Sequence, residues 1–115
     1  MADVTLARQQ VNVDGLLNAQ TSIDATDDYH FDFDNKTWLH IVNGSGSVSV
    51  VTFFITQAGR GGTVINDEVV NVPATDEMFI GPFPDVYAKL SGVGIGQVHF
   101  KQDQASSVTA GVFRV

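Results

Sequence analysis

Apolar and polar residues alternate with period two along much of this chain, and helical periodicity is nearly absent. This constrains the fold more than any other feature, because successive side chains of a strand point to opposite faces. Tyr29, Phe31 and Phe33 alternate with His30, Asp32 and Asp34, which predicts a strand with one aromatic and one polar face. Asn35-Lys36 reads as a tight turn. Trp38 to Val42 is a second strand, apolar on both sides except at His40. Asn43-Gly44-Ser45-Gly46 is a strong turn signal, and Ser47 to Thr56 follows as a long strand. These two strands are expected to pair as a hairpin. Further strands are predicted over Asp67–Val72, Glu77–Ile80, Gln97–Lys101 and Val108–Val115. The prolines of Gly81-Pro82-Phe83-Pro84 stop the run Glu77–Ile80, since proline cannot continue a ladder. Gln57 to Gly62 reads as a loop, Asp85 to Leu90 as one helical turn, and Gly92 to Gly96 as a pliable approach to a strand.

The pattern predicts an all-β domain, an antiparallel β-sandwich or jelly-roll-like fold of about seven or eight strands over residues 21–115. Trp38, Ile41, Val51, Phe53, Phe79 and Val98 are the expected core. Residues 1–20 differ in character: Val4, Leu6, Val11, Val13, Leu16 and Leu17 are set among Gln, Asn and Asp. They form either a first strand or an N-terminal arm that packs on a neighbouring chain.

The chain has 115 residues, enough for one core without staples. It has no cysteine, which removes disulfides, thiolate metal sites and a Cys nucleophile. Thirteen acids against six scattered bases give a net charge of −7. Nucleic acid is therefore not an expected partner, because phosphate contacts need clustered Lys and Arg. The start has no basic, apolar leader, and no run approaches membrane-spanning length. A cytoplasmic origin in the producing cell and no membrane partner are expected.

Candidate chemistry is sparse. His30, Asp32 and Asp34 share a strand face, but neighbouring ligands on one strand are too widely spaced to close a metal shell. The plain reading is a solvated face, with no metal and no cofactor. His40 lacks a positioned partner in sequence, and Gly44-Ser45-Gly46 lies in a turn rather than a strand-to-helix elbow. His99 reads as the polar face of a strand. Gly92-Val-Gly-Ile-Gly96 lacks the following helix that a phosphate loop requires. Asn35-Lys-Thr37 and Asn43-Gly-Ser45 fit the glycosylation sequon and are read as turns. Asp67-Glu68 and Asp76-Glu77 point to opposite strand faces, so they serve better as charged edges than as a catalytic pair. No enzyme activity is expected.

Several segments together resemble a known family: Val4-Thr-Leu-Ala-Arg8, Thr37-Trp-Leu-His-Ile-Val-Asn-Gly-Ser45, Val72-Pro-Ala-Thr-Asp-Glu-Met-Phe-Ile-Gly-Pro-Phe-Pro84 and Val108-Thr-Ala-Gly-Val112. The order is similar to that of small virion structural proteins of tailed bacteriophages, the head decoration or cement proteins. The resemblance implies a sandwich domain on the capsid exterior, made in the host cytoplasm, with the major capsid protein as partner and a homotrimer as its state. It carries over no catalytic residue. Val4, Leu6, Val11 and Val13 are the expected capsid- or neighbour-contacting arm, because they have no evident core partner in sequence. The rival expectations are a head–tail connector, tail or spike-base component, and a carbohydrate- or receptor-binding jelly roll using Tyr87 or Trp38. A hydrolase built on His40 or His99 is more distant.

Overall fold

The computed structural model describes residues 3–11, 20–55, 67–83, 87 and 96–114, whose ten strands build two five-stranded sheets. The strands are β1 (Asp3–Thr5), β2 (Arg8–Gln10), β3 (Thr21–Ile23), β4 (Asp28–Phe31), β5 (Thr37–Asn43), β6 (Ser49–Phe53), β7 (Glu68–Val72), β8 (Asp76–Ile80), β9 (Val98–Gln102) and β10 (Val108–Arg114). Sheet A has the order β1-β4-β9-β6-β7. Sheet B has the order β2-β10-β5-β8, with β3 also pairing β10 beyond the end of β2.

The expected all-β sandwich is present, and two of its details need correction. Both sheets are mixed, because β1 runs parallel to β4 and β2 runs parallel to β10. The expected hairpin between the strands flanking Asn43–Gly46 does not form. β5 pairs with β10 and β8 in sheet B, whereas β6 pairs with β7 and β9 in sheet A. The turn carries the chain from one sheet to the other. Asn43 explains why. Its fully buried side chain accepts from Ser45 N and Oγ, and its Nδ2 donates to Ser47 O at 2.8 Å and Val72 O at 3.1 Å. One amide thus ties the crossing turn to the end of β7. A buried Asn with its donors and acceptors filled is a stable corner, and this one is not an accessible glycosylation site.

The core lies between the sheets and follows the alternation. Tyr29, Phe31, Val51, Phe53, Val98 and Phe100 face inward from sheet A; Leu39, Ile41, Val108, Ala110 and Val112 face them from sheet B. Phe83, just past β8, inserts between them, with its ring 5.4 Å from both Phe31 and Phe53. Offset and edge-on aromatic pairs of this kind contribute roughly 0.5–1.5 kcal/mol beyond their buried area. Tyr87 completes the cluster, edge-on to Phe53 and Phe83.

Of the expected core residues, Ile41, Val51, Phe53 and Val98 are fully buried. Trp38 is half-buried and Phe79 is 61% exposed, because Leu39 and Ile41 on β5, and Met78 and Ile80 on β8, take the inward positions. The loop at 57–62, most of the helical turn at 85–90 and residues 92–95 lie outside the described residues.

Residues 3–11 cross from one sheet to the other. β1 lies at the edge of sheet A and β2 at the edge of sheet B. Between them Leu6, only 4% exposed, enters the core, and its N–H donates to His30 O. Charges lock the segment in place. Arg114 Nε donates to Asp34 Oδ2 at 2.6 Å, Arg8 Nη1 stands 3.7 Å from the same oxygen, and Arg114 Nη1 donates to Gln10 Oε1. Residues 3–10 thus form two short strands, one on each sheet, joined through Leu6 and Ala7.

Candidate binding face

The outward side of sheet B gathers the exposed aromatic chemistry. Strand alternation places Trp38, His40 and Val42 of β5, Glu77 and Phe79 of β8, and Phe113 of β10 on this side. In register, His40 pairs with Phe79, and Trp38 with Phe113. The His40 and Phe79 rings stack face to face, 4.2 Å apart and 7° from parallel, with Phe113 tilted at 6.3 Å. The imidazole is 5% exposed although it points away from the core.

Its two ring nitrogens differ in their surroundings. Gln20 Nε2 lies 3.2 Å from His40 Nδ1, whereas Nε2 of the ring is buried with no hydrogen-bond partner among the described residues. That nitrogen stands 3.5 Å from Glu77 Oε1, an electrostatic contact longer than a good hydrogen bond. His40 is therefore a brace: it holds the exposed Phe79 ring flat, and a carboxylate lies beside it. Next to this patch a groove of about 560 Å³ is lined by Val42, Asn43, Gly44, Thr75, Asp76 and Glu77. Thr75 sits there with φ of 57°, unusual for a β-branched residue.

The outer side of sheet A corrects another expectation. His30 and His99 are not on a solvated face; they are 4% and 6% exposed and stack as a cross-strand pair with centroids 5.0 Å apart. Gln97 bridges onward, with Oε1 2.5 Å from His30 Nδ1 and Nε2 donating to Asp32 Oδ1. Asp34 is turned away from this group toward Arg114. Its carboxylate also accepts from Lys36 N and Thr37 Oγ1, closing the tight turn. The Arg114 guanidinium first, then the Lys36 amide and the Thr37 hydroxyl, hold its pKa down at about 2. Among the described residues, no three His, Asp or Glu side chains are gathered to hold a metal. Ser45 spends its hydroxyl on Asn43 and Ser47 O, within its own turn.

The expected contacting residues divide. Val4 is half-buried on β1 and packs against the core, Leu6 is in the core, Val11 is 39% exposed just past β2, and Val13 lies outside the described residues. Leu6 therefore has core partners and Val4 has some, whereas the Val11 side chain is exposed. The expected sugar-stacking aromatics, Tyr87 and Trp38, are both half-buried. Phe79 was missed as a surface residue. Its position two residues from Glu77, on the Glu77 face of an alternating strand, is the signal that marks it.

Comparison with protein-family models, curated proteins and solved structures finds no match to this chain.

Proposed function

We propose that this chain is a jelly-roll structural protein of a tailed-phage virion, made in the host cytoplasm. It decorates the capsid exterior as a homotrimer, binding at junctions between major capsid protein subunits and reinforcing the shell. The strand order carries the reading. Counted from β3 to β10, sheet B takes the first, eighth, third and sixth strands, and sheet A takes the second, seventh, fourth and fifth. Every one of those neighbours is antiparallel. This interleaving supports reading the sandwich as a jelly roll, an architecture of viral capsid and lectin domains. The resemblance of the Val72–Pro84 and Thr37–Ser45 segments to head decoration proteins supports the virion over the lectin.

Two hydrogen-bonded sheets closed on one apolar core suit a load-bearing contact between shell subunits. The braced Phe79 patch supplies an apolar anchor rimmed by charge, the usual anatomy of a specific interface. Labelled antibodies on purified virions test the proposal. Regular labelling of the head surface is expected; labelling confined to the tail, or none, contradicts it.

A further inference from the structure

The two ends of sheet B carry opposite charge. At one end lies β8, continuous through a turn with β7. Residues 67–83 hold four acids, Asp67, Glu68, Asp76 and Glu77, and no Lys or Arg. Asp76 and Glu77 are exposed, and Phe79 beside them is the most exposed of the large apolar side chains. At the other end lies β2. There Arg8 and Arg114 share one carboxylate, Asp34, and the turn that holds Asp34 adds exposed Lys36, so three cations meet one anion. An exposed apolar residue accompanies this end too: Val11, whose N–H donates to Arg114 O at 2.8 Å.

We propose that the β8 edge of one copy docks on the β2 edge of the next, with Asp76 and Glu77 facing Arg8 and Arg114 and with Phe79 against Val11. A second copy of this chain is the occupant because each edge presents the chemistry the other lacks. A contact of β8 with β8 sets acid against acid. Charged edge strands ordinarily guard against aggregation, but a 61%-exposed phenyl ring on the same edge works against such a guard. Since β8 and β2 terminate the same sheet, the contact is heterologous, and it closes into a ring when the rotation per copy allows. The inference rests on reading the chain as an assembling protein, not on the capsid as its partner.

Charge reversal tests this on the full chain, by sedimentation mass in solution with head binding scored separately. Wild type is expected at a multiple of 12.3 kDa and to fall toward the monomer in high salt. Glu77→Arg and Arg8→Glu are each expected to be monomeric. The double variant, in which the two charges are exchanged, regains the wild-type mass. Phe79→Ser, on the surface and harmless to folding, also gives monomer. Circular dichroism confirms the fold of each. A monomeric wild type overturns the contact, as does Arg8→Glu assembling normally while Glu77→Arg does not, or a double variant that stays monomeric. A wild type that is monomeric and still binds heads overturns this contact and leaves the capsid reading standing.

Discussion

Leu6→Ala separates a strand from an arm. Leu6 is 4% exposed and contacts the core where the chain passes from sheet A to sheet B. Removing about three methylene equivalents at ~0.8 kcal/mol each loses roughly 2.4 kcal/mol of transfer energy. A cavity contribution adds to this where the surroundings cannot collapse. Here Leu6 borders a small groove of about 150 Å³ lined also by Ala7, Gln9, Thr21, Ala110, Gly111 and Val112, which gives room to relax. The expected cost is therefore about 2–3 kcal/mol, in the lower half of the Leu→Ala range. In urea, with a slope of ~1–3 kcal/mol per molar, the midpoint should fall by about 1–2 M without a change in slope. A loss under ~0.5 kcal/mol, ordinary for a surface substitution, would refute the packing of the N-terminal segment.

Three further outcomes follow from the packing. Asn43→Ala strands the buried carbonyl of Val72 and opens the crossing turn, and should cost about 2–3 kcal/mol in the same unfolding assay. Gly81→Ala should cost about 2 kcal/mol or more, because φ is +139° there and a Cβ would lie 2.9 Å from Thr37 O. Asp34→Asn should destabilise at neutral pH, and the difference should vanish in acid. The folded pKa, about 2, is below the ordinary 3.8, so the carboxylate's contribution is full above about pH 4 and is lost as pH falls through 2. Unfolding midpoints for both proteins from neutral pH down to 2 should converge; a constant gap would show that Asp34 acts by shape and not by charge.

Strand identity was legible in the sequence because alternation is a local property. Tyr29, Phe31 and Phe33 alternating with His30 and Asp32 already marked β4, and the valine-rich run marked β6. Pairing was not legible. Asn43-Gly44-Ser45-Gly46 serves equally a hairpin or an arch between sheets, and the choice rests on Asn43 reaching Val72, 29 residues away. The parallel pairing of the N-terminus depends on Arg8 and Arg114 meeting Asp34, across a separation that no local pattern encodes.

The two faces of a strand are equally hard to tell apart when both carry aromatics. Phe79 looked like core because phenylalanine usually is, yet Met78 and Ile80 hold the inward positions beside it. His30 looked solvated because aspartates flank it on its face, yet its stacking partner His99 comes from a distant strand. The candidate face of sheet B was thus readable in its parts, His40, Glu77 and Phe79, but not as a group, because strand register brings them together.

The proposal that this chain is a capsid-binding assembly protein is tested most directly by co-sedimentation with empty, expanded heads of tailed phages. The account predicts saturable binding at a fixed ratio to the major capsid protein, with the ratio locating the site on the lattice. Protein that stays in the supernatant at every concentration contradicts it.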